Sequence, residues 1–162
     1  SIAIGKIAPG ELVGEQENEL VSGFNHTGIV VSDLEKMASF YCDDLGLSEL
    51  NRVQSDAPPE GNHTGIAGSR RTLVFVGFEE GHKIELVKYH EPSSADRVND
   101  MTQVGTNHIC FNVENIETTQ ADLSAKGIEF VTDPIISHRD DGTRHGIVYA
   151  RDPEGNWLEF IE

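Results

Sequence analysis

Basic residues are scarce in this chain: Lys and Arg number 12 against 28 Asp and Glu, a formal net charge of -16. Nucleic acids and anionic membranes are held by basic footprints, so both are excluded as partners. Cysteine is scarcer still. Cys42 and Cys110 are the only two, too few for a disulfide framework and in keeping with a reducing cytoplasm. No apolar run approaches the ~18 residues that a membrane span needs, and the opening residues lack the pattern of a secretory signal. Apolar residues make up 37% of the chain, enough for one domain, or two closely joined halves, with a sheet covered on one side.

What is present is a pattern that occurs twice. His145 to Glu162, HGIVYARDPEGNWLEFIE, is two short apolar runs joined by Asp-Pro-Glu-Gly and reads as a β-hairpin. In its second run Trp157, Glu159 and Ile161 share one face and Leu158 and Phe160 the other. A mid-strand carboxylate is unfavourable by propensity, and a single one reads as a solvent-facing residue of a one-sided sheet. Leu73 to Val87, LVFVGFEEGHKIELV, repeats the hairpin at an offset of 74, so that Gly81 falls on Gly155 and Glu85 on Glu159. Upstream, FNHTGIVV from Phe24 and TNHICFNV from Thr106 match at an offset of 82, placing His26 on His108. The chain is therefore an internal duplication, each half ordered strand with His, helix, strands, strand with Glu.

In chain order, residues 1–23 read as an N-terminal extension without assigned function. Residues 24–90 form a first module, 91–105 a polar connector and 106–162 a second module. Ser32-Asp33 caps a helix to about Asp44, ended by Gly46. Ser48 to Gln54 reads as a strand. Ser55 to Arg71 reads as a long loop whose Arg70, Arg71 and His63 are candidates to meet an anionic substrate. Thr72 to Phe78 and His82 to Tyr89 make the first hairpin, and Lys83, Glu85, Val87 and Tyr89 share a face. In the second module His108, Cys110 and Asn112 face away from Ile109, Phe111 and Val113, with Cys110 read as a small buried filler. The second helix spans Ile116 to Lys126. A short strand is expected at Ile128 to Val131 and a loop from Thr132 to Thr143. Arg144 and Trp157 join Arg70 and Arg71 as substrate-binding candidates.

If a pseudo-twofold axis brings the halves together, His26, Glu85, His108 and Glu159 can converge. Two neutral imidazoles and two carboxylates balance the charge of a divalent cation, and mixed N/O ligation suits Ni, Co, Zn, Mn or Fe. Such an ion acidifies a C–H beside a bound carbonyl, and a neighbouring carboxylate can move the proton. Recurrence of the His and Glu in both halves makes this reading much stronger than any single residue would.

The runs NHTGIVVSDLEKMASFY, KIELV, NHICFNV and DPEGNWLEF resemble the vicinal oxygen chelate superfamily, which includes glyoxalase I, methylmalonyl-CoA epimerase, extradiol dioxygenases and bleomycin-binding proteins. The resemblance covers about residues 24–162. It implies an α+β fold of two βαβββ modules forming an incomplete barrel around a metal. It makes His26, Glu85, His108 and Glu159 the ligands and Glu85 or Glu159 the catalytic base. It also implies a homodimer and a small substrate with vicinal oxygens or a thioester. Four filled ligand positions favour the glyoxalase and epimerase branch over ring-cleaving dioxygenases and over sequestering proteins. Within that branch DPEGN is glyoxalase-like, whereas the 23-residue spacing from Glu85 to His108 is epimerase-like.

Overall fold

A computed structural model describes residues 20–95 and 99–162. The N-terminal extension up to residue 19, and residues 96–98 of the connector, lie outside the described residues. Each half folds as a strand, a helix and three further strands. The first runs β1 (His26–Val30), α1 (Leu34–Ser39), β2 (Ser48–Asp56), β3 (Arg70–Gly77) and β4 (Lys83–Glu91). The second runs β5 (His108–Asn112), α2 (Ile116–Ala125), β6 (Ile135–His138), β7 (Arg144–Arg151) and β8 (Trp157–Ile161). The sheet orders are β1-β4-β3-β2 and β5-β8-β7-β6. In each, the helix carries the chain across so that the first strand lies parallel to the last. This is the α+β, two-module architecture expected.

The repeat holds at the level of register. His26 is opposite Lys83 and Gly28 opposite Glu85; His108 is opposite Trp157 and Cys110 opposite Glu159. These are the same pairs once the offsets of 82 and 74 are applied. The helix caps repeat too. Lys36 N donates to the Asp33 side chain, and Thr118 N donates to the Asn115 side chain, 82 residues on. Each cap satisfies an otherwise unpaired first-turn amide. The first helix continues into a wider π-type turn, Phe40–Asp44, with Leu45 N donating to Phe40 O at 3.1 Å. The extra residue lets the adjacent Phe40 and Tyr41 both turn inward, and both are buried.

The covered faces of the two sheets meet the helices in one core. Val74, Val76, Ile84 and Leu86 pack with Leu34, Met37 and Tyr41, and Val148, Leu158 and Phe160 with Ile116 and Leu123. Each fully buried aliphatic or aromatic side chain contributes roughly 1.5–3 kcal/mol. The opposite sheet faces are left open, and these carry the four predicted ligands.

The turn between β7 and β8 has a second task. Asp152 accepts from Glu154 N, Asn156 N and Asn156 Nδ2, which shapes the turn, and also from the buried Tyr41 hydroxyl at 3.1 Å. Glu154 accepts from Ser32 N and Asp33 N at 2.6–3.0 Å, at the start of the other module's helix. The DPEGN segment is thus a clasp between the modules. Burial, the largest influence, raises the Asp152 carboxyl above its ordinary value against the opposing pull of its donors. A carboxyl raised in the fold contributes stability that is complete below its unfolded value and lost as pH climbs through the folded one. Asp152→Ala is expected to cost about 2–4 kcal/mol in urea unfolding at neutral pH, leaving Tyr41 and two turn amides without an acceptor. The difference from the parent should widen on acidification. A loss below about 0.5 kcal/mol, within the range of ordinary surface substitutions, would refute the clasp.

Three local expectations are corrected. The fourth strand of the second sheet is Ile135–His138, inside the expected loop, while Phe130 makes a single bridge to Ala150 in place of a strand at 128–131. Arg70 and Arg71 belong to β3 and not to the loop, which closes earlier through Ala57 N donating to Ser69 O at 2.7 Å. Cys110 is exposed, because the face it shares with His108 is open.

Candidate active site

Strand alternation sets His26 on β1 beside Glu85 on β4, and His108 on β5 beside Glu159 on β8. The ring nitrogen Nε2 stands 3.4 Å from Glu85 Oε2 in the first pair and 3.0 Å from Glu159 Oε2 in the second. Each imidazole also meets an aromatic ring edge-on: His26 with Phe75 at 5.6 Å and His108 with Tyr149 at 5.4 Å between centroids. Phe75 and Tyr149 are themselves related by the offset of 74, a signal in the sequence that alternation alone did not single out. Gly28 is a further site residue that the residue pattern did not reveal. A Cβ there would lie 3.3 Å from Glu85 Oε2, so the backbone of β1 crowds the carboxylate and a larger side chain would displace it.

The pairs do not converge within one chain. Among the described residues no group of three or more His, Cys, Asp and Glu is close enough to hold a metal ion. Convergence is expected only if a pseudo-twofold axis joins the halves, within one chain or across two; the structure shows two His/Glu pairs, one on the open face of each sheet. A cavity of about 490 Å³ does lie between the modules, lined by Ile84, Ile109, Phe111 and Leu123 with Cys110 and Asn112 at its edge, and none of the four predicted ligands takes part.

One imidazole beside one carboxylate, the donor set of each half-site, is of the type that binds a divalent cation. His26 Nδ1 lies 2.7 Å from Asn25 Oδ1, and in the Nδ1–H tautomer the Nε2 lone pair points toward the Glu85 carboxylate. An acceptor facing an acceptor is repulsive unless a proton or a cation lies between them. Asn107 precedes His108 as Asn25 precedes His26.

Other predicted residues are engaged elsewhere. Trp157 is buried beneath Arg151, whose Cζ lies 3.7 Å from the ring centroid, and its indole N–H donates to Asn99 O at 3.1 Å. Arg144 is ion-paired with Glu117 and with Glu162. Arg70 is exposed and reaches Glu91 at 3.8 Å. Arg71 is buried on the open-face side of β3, with Nη2 donating to Ser55 Oγ at 3.0 Å and His63 Nε2 3.5 Å away. Cys110 lies across the strand pair from Glu159. Partial withdrawal of its thiol from water, and then the Glu159 carboxylate, push it up to about 11. Alkylation at about pH 8 should run on the order of a hundredfold slower than at an unperturbed thiol, read by mass spectrometry of the modified peptide. A free-thiol rate would contradict this proximity.

The family model of the Glyoxalase/Bleomycin resistance protein/Dioxygenase superfamily matches residues 23–160. A probable lactoylglutathione lyase of Synechocystis is 32% identical over 143 residues, covering 85% of this chain and 92% of its own. Lactoylglutathione lyase of Schizosaccharomyces pombe is 30% identical over 149 residues and 85% of this chain, which spans only 46% of that relative's length. The mouse mitochondrial methylmalonyl-CoA epimerase is 31% identical over 140 residues, covering 82% of this chain and 71% of its own. Among solved structures, a glyoxalase family protein from Bacillus cereus superposes with a TM-score of 0.77 at 22% identity over 92% of this chain and 98% of its own. No helix among the described residues is long and apolar enough to cross a membrane. The matched span takes in both modules and all four His and Glu positions, and the chain belongs to the glyoxalase/bleomycin resistance protein/dioxygenase superfamily.

Proposed function

We propose that the chain is a divalent-metal-dependent, glyoxalase I-like lyase/isomerase whose site is completed in a homodimer. The observation that carries this is the repetition of one His/Glu pair, at one register, on the open face of each sheet. In the dimer, His26 and Glu85 of one copy would join His108 and Glu159 of the other around a Ni, Co, Zn, Mn or Fe ion. The ion would supply Lewis acidity toward a substrate carbonyl. The chain's own residues do the rest. The two carboxylates would balance the charge of such an ion and the imidazoles would add two nitrogen donors, with Phe75 and Tyr149 meeting the imidazoles edge-on. Glu159 takes the proton from the carbon beside the carbonyl and returns it to the neighbouring position. A carboxylate retains a second oxygen for proton transfer, whereas an imidazole bound through one nitrogen has its lone pair engaged. Relatives named as lactoylglutathione lyases support this reading.

The spacing of 23 residues between Glu85 and His108, together with the likeness to methylmalonyl-CoA epimerase, favours a second reading as an acyl-CoA epimerase using the same proton abstraction. Turnover in deuterated water separates the two. Metal analysis should find one ion per complete site, and thiohemiacetals of 2-oxoaldehydes should yield product with deuterium at the carbon beside the carbonyl. Exchange confined to acyl-CoA thioesters would select the epimerase. Oxygen consumption would point to a ring-cleaving dioxygenase, and ligand binding undiminished by a chelator to a sequestering protein.

A further inference from the structure

The most buried arginine of the first sheet has no counter-ion among the described residues. Arg71 is only 7% exposed and alternates along β3 with Leu73 and Phe75, on the face that carries Glu85. Its guanidinium meets the Ser55 hydroxyl and His63, and its Cζ lies 5.7 Å from the Tyr89 ring centroid. The Nε–H is buried without an acceptor among the described residues. Among the described residues no carboxylate lies within ion-pair distance of Arg71, whereas Arg52 and Arg144, both more exposed, hold two each. Acids are not in short supply, since the chain has 28. Burying an unpaired charge is costly, and a planar guanidinium with free donors matches the two oxygens of a carboxylate or phosphate.

We infer that Arg71, Ser55, His63 and Tyr89 form an oxyanion pocket for a carboxylate or phosphate at the far end of the substrate. This rests on the proposed function for the nature of the ligand, not for the existence of the pocket. Arg71 pairs with Tyr89, and Glu85 is four residues back along β4, about 13 Å at roughly 3.3 Å per residue. The substrate that reaches both is extended, with an anionic group well removed from the reacting carbon, and not a free three-carbon oxoaldehyde. His63 comes from the 57–69 loop, which is closed on itself by Gly61 N to Pro58 O and Gly65 N to Asn62 O at 2.9 Å each, and so approaches Arg71 on an ordered arm.

The test follows the Arg71 Nε–H resonance, assigned with Arg71→Lys, in ¹H–¹⁵N spectra of the full chain without added metal. Glutarate and inorganic phosphate are titrated separately. A saturable shift is expected, and Ser55→Ala and His63→Ala should each weaken it roughly tenfold in apparent affinity. Tighter saturation by glutarate assigns a carboxylate end, and tighter saturation by phosphate a phosphate end. A resonance that ignores both anions, or shifts equally in both alanine variants, overturns the pocket. So does one that moves only with protein concentration, because a second copy then supplies the carboxylate. Because no metal is present, a silent pocket in an active enzyme refutes this inference alone, and a working pocket in an inactive protein refutes only the proposed activity.

Discussion

Glu159→Gln is expected to lower turnover by a factor of roughly 10²–10⁴ while leaving most of the metal bound. Glu159 is the more enclosed of the two site carboxylates, its side chain 10% exposed against 18% for Glu85, and it stands closer to its imidazole. It lies in β8 between Leu158 and Phe160, which anchor the strand on its covered face. The glutamine side chain is isosteric and keeps an oxygen toward His108, so the fold and much of the ligation survive; what disappears is the proton acceptor. His108→Ala should behave differently, losing metal and activity together. Metal content by atomic spectroscopy, measured beside kcat, separates the two variants. A Glu159→Gln protein with full turnover would move the base to Glu85, and metal retained in His108→Ala would remove His108 from the ligand set.

Complementation should be the larger signal, since it starts from nothing. A variant with His26→Ala and Glu85→Ala and one with His108→Ala and Glu159→Ala are each expected to be inactive. In a twofold dimer whose sites each take one half-site from each copy, a mixed pair contains one site with no substitution and one with all four. Unfolding and refolding the two together should therefore restore about one quarter of parent activity, since about half the dimers are mixed and half their sites are intact. Sites completed within single chains would give no recovery at any ratio. The expectation follows from the two separated pairs, each of which presents only two donors.

The repeat was legible because the residues that make it are constrained by register. A strand that slips by one residue turns every side chain to the opposite face, so the offsets of 74 and 82 could only be preserved with the pairing itself. The helix caps, Asp33 and Asn115, were legible for a related reason, since few residue types serve there. Legibility failed where burial leaves no pattern. All four residues of β6, Ile135 to His138, are exposed, so no alternation separates that strand from a loop. Arg70 and Arg71 concealed the start of β3 because a pair of charges looks solvated, although the second of them is buried. Cys110 reads as filler because its chemistry suits an interior, while its face opens to solvent. Whether the four His and Glu residues meet within one chain or across two was not legible, for another reason. Alternation says which face a side chain takes within its own sheet, and nothing in it says which sheet that face will meet.

The matched registers of the two halves also carry a history. Either half by itself is a two-donor device, one His beside one Glu at one register. The present chain is what end-to-end duplication of one such half would produce. Duplication lifts the requirement that the copies stay alike, and the differences show where that freedom was used. Glu154 clasps the other module's helix, while Glu80 at the matching position lines the cavity between the modules. Gly28 in one half answers to Cys110 in the other, and Phe75 to Tyr149. The four donors stayed as they were, and the chain diverged around them.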